Sequence, residues 1–325
     1  MSAVRAVVCT EYGEPEGLRI EERPSAPLAS GFARVRVGAA AVNFPDVLIV
    51  ANRYQISVPP PFVPGSEYAG TVVEIADDTP GFAVGDRVTG TGLVGAFADE
   101  IVAPVTSLKK IPDGIDDRTA ASFGVAHRTA YHTLRSVARL QPGEELVVLG
   151  AGGGVGLAAV QLGVVLGASV TAIASSPDKL AVASSYGATH VIDRRASDLR
   201  PALKSALPQG ADVVVDPVGG DLSEPALRSL RRGGRFVTLG YASGSIPRIP
   251  LNLVLVKGIR IMGFQFQDLD AEEYRRNEDE LVDLLVSGKA VPHIGADYPL
   301  EDTAQALRRV ADGRAIGKVV IDMSR

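Results

Sequence analysis

Residues 146–163, "LVVLGAGGGVGLAAVQLG", set a cluster of glycines between an apolar run and a helical pattern. Few folds ask for that order. An apolar run that ends in glycines and opens at once into a helix predicts the first strand, turn and helix of a parallel α/β sheet. The frame that fits is Ala151-Gly152-Gly153-Gly154-Val155-Gly156, a G-x-G-x-x-G pattern with alanine in the first place. Gly153 would let the backbone approach a pyrophosphate, Gly156 would let the helix pack close to the strand, and the helix N-terminus would offer free N–H groups to the anion. With a strand before it and a helix after it, the pattern reads as a dinucleotide-binding turn.

The end of the following strand bears on which dinucleotide is held. An acidic residue about 20 residues beyond the turn would accept the ribose 2'-hydroxyl of NAD and repel a 2'-phosphate. In "AIASSPDKL" that place is taken by Ala174, followed by Ser175, Ser176 and Lys179. Arg194, in "HVIDRR" after the third strand, could bring a planar donor fork to the same spot. Lys179 is one of only seven lysines in the chain. The alternative for Lys179 and Arg194 is solvated surface charge. The expected cofactor is NADPH.

A chain of 325 residues with 46% hydrophobic content divides, on length, into about two domains. Its net charge of -5 argues against general affinity for nucleic acid. The longest apolar runs fall short of the ~20 residues of a membrane span, and the amino terminus lacks the pattern of a secretory signal, so the cytoplasm is the expected location and no membrane partner is expected. Cys9 is the single cysteine and the four histidines are scattered, which leaves no zinc-binding motif. His132 is expected to be a packed or capping residue rather than a ligand.

Two textures follow one another. Residues 1 to about 122 read as short strands broken by turns ("ARVRVGAAAVN", "AGTVVEIA", "PGFAVGDRVTG"), an antiparallel, barrel-like β-domain. From 145 onward, apolar runs alternate with helical segments: "ELVVLG", "SVTAIAS", "HVID", "ADVVVDP", "RFVTLG", "IRIMGF". That succession predicts a parallel sheet with helices on both faces. A helix over 128–140 would link the two, and the segment from 292 to 323 should return to the first domain. The domains predicted are 1–124 with 292–325, and 125–291.

With "AVNFPDVL", "PPPFVPGSEYAG", "GFAVGDRV", "RTAYHTL", "GAGGGVGLAAVQL", "DVVVDPVGG" and "IPLNLVLVKGIRIMGF" together, the chain resembles, end to end, the medium-chain dehydrogenase/reductase superfamily and within it the zinc-free quinone oxidoreductases. The resemblance implies an α/β protein: a GroES-like β-barrel catalytic domain plus a Rossmann, doubly wound parallel-sheet nucleotide-binding domain. Zinc-containing relatives carry cysteine where this chain has Asn43 and histidine where it has Ser66, and Glu67 alone cannot replace them, so no metal is expected. Simple alcohol dehydrogenation is disfavoured without a Lewis acid. Reduction of a quinone needs positioning of an acceptor that is already electrophilic, in a cleft between the domains. Matched positions imply Asn43, Asp46 and Tyr54 as its catalytic lining, with Asn43 and Tyr54 donating to a developing oxyanion and Asp46 organising them; ordinary turn chemistry around "NFPD" is the alternative. The same matching places Thr129, Val218, Gly240, Tyr241, Phe264 and Lys318 at the cofactor. Asn52 replaces a usual glycine, which a left-handed backbone would tolerate. A homodimer edge at 249–264 is implied as well. Enone or enoyl-thioester reduction is the second reading, and a structural NADPH-binding or RNA-binding role the third.

Overall fold

A computed structural model describes residues 3–76 and 80–325. The chain begins with strands β1 (Ala3–Val8), β2 (Arg19–Pro24) and β3 (Phe32–Val42), helix α1 (Phe44–Val50), strands β4 (Glu67–Ile75), β5 (Arg87–Thr91), β6 (Glu100–Pro104) and β7 (Leu108–Lys110), and helix α2 (Asp117–His132). It continues through β8 (Glu145–Leu149), α3 (Gly154–Val165), β9 (Ser169–Ala174), α4 (Pro177–Ser185), β10 (His190–Asp193), α5 (Leu199–Ala206), β11 (Ala211–Asp216), α6 (Ser223–Ser229), β12 (Leu230–Thr238), α7 (Asn252–Lys257), β13 (Arg260–Met262) and α8 (Ala271–Val286). The last elements are β14 (Ile294–Tyr298), α9 (Thr303–Ala311) and β15 (Lys318–Asp322). Two compact units result, residues 1–125 with 292–325, and residues 126–291.

In the first unit a seven-stranded sheet runs β14-β15-β3-β4-β5-β7, with β6 also paired to β3. Every pair is antiparallel except β14 with β15, which are parallel and joined through α9. The C-terminal segment thus completes the sheet that the N-terminal segment begins. Along β3 the pattern changes partway. Ala33, Val35 and Val37 are buried while Arg34 and Arg36 turn outward, as a half-solvated strand requires, but Ala39 to Val42 are buried without interruption. The reason is a second apolar layer, formed by Ile111, Ala120, Ala121 and Val320 against Ala39 and Ala41. Small alanines allow that close double covering, and they carry the chain to Asn43 already inside the protein.

The second unit is a six-stranded parallel sheet in the order β10-β9-β8-β11-β12-β13. Numbered within the unit this is 3-2-1-4-5-6, the doubly wound order whose direction reverses between the first and fourth strands. Burial on both faces leaves Leu146 to Leu149 and Val213 to Val215 without exposure. The helix expected over 128–140 stops at His132 and continues as a π-helical segment, Thr133–Val137, after which Arg139 takes a left-handed backbone at φ 50.

Candidate functional site

In the second unit the predicted cofactor residues collect at the carboxyl ends of the six strands, with Thr129 supplied by α2. After β8, Gly150 turns the chain at φ 62, one residue before the frame that the pattern suggested. Gly153 N–H donates to the Gly150 carbonyl at 3.0 Å, and Gly153 is the N-cap of α3. Having no side chain, Gly153 leaves the first N–H groups of the helix uncapped. A Cβ on Gly156 would collide with the Gly150 carbonyl, so only glycine permits this approach of helix to turn. Ala151 is fully buried with its N–H bonded to the Ile173 carbonyl at 3.0 Å; it shapes the turn and presents no surface, as do buried Gly152 and Gly156. Gly153, Gly154 and Val155 are the part of the loop that reaches the surface.

Around this turn the strand ends close in. The stem of Lys179 lies over Gly152, within 2.5 Å of where a Cβ would stand. Ser176 is the N-cap of α4, its hydroxyl accepting the Lys179 N–H at 3.4 Å, so that oxygen is engaged in capping. Half-buried Ser175 directly follows Ala174, the last residue of β9. Exposed Arg194 is tied to that strand end through its N–H, which donates to the Ala174 carbonyl at 3.0 Å. Across the reversal point, Val218 packs against Gly150. Fully buried Asp216 holds the turn at 217–219 by accepting the N–H groups of Val218 and Gly219, each at 2.8 Å, and the Ser223 hydroxyl at 2.6 Å. The loop after β12 zips onto the same turn, Ala242 and Ser243 donating to Pro217 and Val218; it contains Gly240 and lays the Tyr241 ring over Gly219. Phe264 follows β13 and meets Phe266 edge-on at 5.2 Å. Thr129, half-buried, has its carbonyl occupied by the Thr133 hydroxyl at 2.7 Å.

In the first unit Asn43, Asp46, Ser66, Glu67 and Lys318 form one buried polar cluster. Lys318 is 4% exposed, and its ammonium donates to Asn43 Oδ1 at 2.6 Å and to Glu67 Oε2 at 3.0 Å. Strand register brings it there: β15 pairs with β3 so that Val319 faces Val42. Gly317, at φ 62, stands where a Cβ would collide with the His293 carbonyl, to which Lys318 N–H donates at 2.7 Å. Glu67 is fully buried, its other oxygen accepting the Val125 N–H at 2.7 Å. Asn43 gives one amide N–H to Glu67 Oε2 at 3.1 Å, whereas the other finds only long contacts, Ser66 Oγ at 3.3 Å and the Ala41 carbonyl at 3.5 Å. Asp46 lies at the third position of α1 and accepts the Asn43 N–H at 2.7 Å, which fixes the strand-to-helix turn. Burial pushes its carboxyl up to about 7, against hydrogen bonds from the Asn43 backbone and Ser66 and the charge of Lys318. Its Oδ1 is buried without a hydrogen-bond partner.

Lys318, which the resemblance placed at the cofactor, is bonded in this structure to Asn43 and Glu67. Glu67 was missed as a structural centre, although a carboxylate opening the apolar run "EYAGTVV" signals a buried charge in need of a partner. Tyr54 is half-buried against Cys9, Ile49, Val50 and Phe62, and Asn52 before it takes the left-handed conformation at φ 51. His132 is buried, bonded to Glu278 at 3.0 Å and stacked on Tyr274 at 5.0 Å; Arg128 shares Glu278 at 2.9 Å, a network that sequence reasoning did not find.

The two parts fit implied groups differently. The uncapped N-terminus of α3, with its side-chain-free turn, suits a pyrophosphate. The cluster at 43, 66 and 67 does not suit a catalytic zinc, because carboxamide and hydroxyl stand at two ligand positions and an ammonium already neutralises the carboxylate. Among the described residues no group of three or more histidine, cysteine or acidic side chains is placed to hold a metal, and no helix is long and apolar enough to cross a membrane.

Residues 29–113 match the alcohol dehydrogenase GroES-like domain family, and residues 154–286 match the zinc-binding dehydrogenase family, a stretch that excludes positions 43 and 66. The chain is 36% identical to a quinone oxidoreductase-like protein 2 homolog of Nematostella vectensis, over 98% of this chain and 88% of that protein. Among solved structures it is similar to the quinone oxidoreductase of Pseudomonas syringae pv. Tomato DC3000 (TM-score 0.90, 29% identity, 98% and 99% of the two chains). It is equally similar to the Escherichia coli quinone oxidoreductase complexed with NADPH (TM-score 0.90, 28% identity, 98% and 99%).

Proposed function

The chain belongs to the quinone oxidoreductase group of the medium-chain dehydrogenase/reductase superfamily, and from that premise we propose that it is a metal-independent, NADPH-dependent reductase of quinones. The observation that carries this reading is the presence in one chain of an uncapped glycine turn and of a polar cluster in which a carboxamide, a hydroxyl and an ammonium-paired carboxylate stand where zinc ligands would. Gly153, Gly154 and Val155 hold the pyrophosphate. Ser175, Lys179 and Arg194 hold the 2'-phosphate, at a strand end where Ala174 offers no carboxylate to repel it. NADPH, when bound, would supply a hydride, one proton with two electrons, to a conjugated acceptor that needs no Lewis acid. The long-contact N–H of Asn43 and the hydroxyl of Tyr54 donate to the acceptor oxygen as negative charge develops there. One proton, from solvent, completes the hydroquinone. A homodimer is part of the reading: β13 is the edge of its sheet, and just before it Leu251, Leu255 and Val256 expose apolar side chains at 73%, 85% and 62%.

The test is NADPH oxidation in chelator against quinones, enones and enoyl thioesters, with elemental analysis of the purified protein. Quinone turnover with no stoichiometric zinc is expected. Turnover confined to enones or enoyl thioesters would transfer the reading to those acceptors, and NADPH binding without any turnover would leave a binding protein. A zinc-to-protein ratio near one, with activity lost in chelator, would sink the metal-free mechanism.

A further inference from the structure

The ammonium of Lys318 is a costly thing to bury. An ion pair of this kind is often no better for stability than apolar side chains of the same volume. Three devices nonetheless hold Lys318 in place: the left-handed turn at Gly317, the N–H bond to His293, and the register of β15 against β3. Its two hydrogen bonds end on the Asn43 carboxamide oxygen at 2.6 Å and on Glu67 at 3.0 Å. Glu67 in turn takes one N–H of the same carboxamide at 3.1 Å. The carboxamide is thereby gripped at its oxygen by a cation and at one N–H by an anion, which fixes its rotamer and leaves the second N–H with only the long contacts to Ser66 Oγ at 3.3 Å and the Ala41 carbonyl at 3.5 Å, weak enough for an acceptor oxygen to displace. A cation on the oxygen also draws electron density from the nitrogen and strengthens that remaining donor.

We propose that Lys318 is a positioning residue of the acceptor site, acting through Asn43: its ammonium orients and polarises the carboxamide so that the second N–H meets the negative charge that forms on the reduced acceptor. This rests on the proposed reductase reading. In a water-poor site a fixed cation of this kind supplies by electrostatics part of what a metal would supply by coordination. Lys318 acts without touching the acceptor.

The experiment compares the parent with Lys318→Met and with the double variant Lys318→Met/Glu67→Gln, which removes both charges and so avoids an unpaired buried carboxylate. If Lys318 served only to neutralise Glu67, the double variant would regain the parental rate. The role argued here requires that it stay slow: kcat with quinones falls about tenfold in both variants, while the KM for NADPH stays within about twofold. A second readout needs no turnover. 4-Nitrophenol, whose phenolate resembles the oxygen-centred anion of a reduced quinone, is titrated into each protein saturated with NADP⁺, and its phenolate absorption is followed at fixed pH. The parent should draw the probe into the phenolate form, and both variants should lose that band. Parental kcat in the double variant overturns the proposal, as does a phenolate band that is absent from the parent or indifferent to Lys318. A parent that stabilises the phenolate through Lys318 but reduces no quinone would overturn the reductase reading and leave this role of Lys318 standing.

Discussion

At the scale of single residues, cofactor choice depends on a few side chains at one strand end. Arg194 is exposed, so solvent screens its attraction for a phosphate. Arg194→Ala should weaken NADPH by roughly tenfold, the low end for a charge-assisted hydrogen bond, and leave NADH almost untouched. Ala174→Asp should accept the ribose hydroxyl, repel the phosphate and move preference toward NADH. Both are read from kcat/KM for the two cofactors; equal losses for both in the Arg194 variant would mean that this surface does not read the phosphate. Asp46 leads to a pH prediction. Burial raises its folded-state value to about 7, above that of the unfolded chain, so the folded protein holds the extra proton between those limits. Its contribution to stability is present at low pH and is lost as pH rises toward about 7. Thermal unfolding across that range should therefore show a slope in the parent that flattens in Asp46→Asn. Parallel slopes would show that Asp46 is not the titrating group.

Among elements, the junction of β8 and α3 carries the tightest constraint. Gly156 lies in the first turn of α3 against the Gly150 carbonyl, and even one methyl group must move backbone. Gly156→Ala should cost about 1–3 kcal/mol, the range of an overpacked core, and should abolish the rise in melting temperature that saturating NADPH gives the parent. Gly153→Ala meets nothing closer than 3.6 Å and should fold with parental stability, yet lose part of the NADPH-induced rise, because its methyl group would stand on the surface proposed to hold the pyrophosphate. An undiminished NADPH shift in Gly156→Ala would mean that the turn does not cradle the cofactor.

For the whole molecule, the exposed side chains before β13 decide assembly. Leu255→Glu places a charge on the most exposed of them, and the proposed dimer should become monomeric by light scattering while the melting temperature changes little. A parent that is already monomeric would remove the homodimer from the functional reading.

The doubly wound sheet was legible because its signals are local: each apolar run, its following glycine or serine, and the helix after it lie within about 25 residues, and a strand buried on both faces admits few polar residues. The same holds for the glycine turn, where steric exclusion of a Cβ writes itself directly into the sequence at Gly156. The left-handed turn at Gly150 lies one residue before the frame read from the sequence, which opens at Ala151; a Cβ at 150 would meet Val218, a contact that only the tertiary structure makes. The parallel β14–β15 pair and the π-helical turn after His132 were likewise invisible to periodicity. The polar cluster was beyond reach for a different reason. Asn43 and Lys318 stand 275 positions apart, and neither has a local pattern that names the other. Sequence alone determined that the chain would wind a parallel sheet around a glycine turn and that position 43 would carry a carboxamide. Strand register across the first unit decided what that carboxamide faces, because a shift of one residue between β15 and β3 would send Lys318 to the opposite face of the sheet.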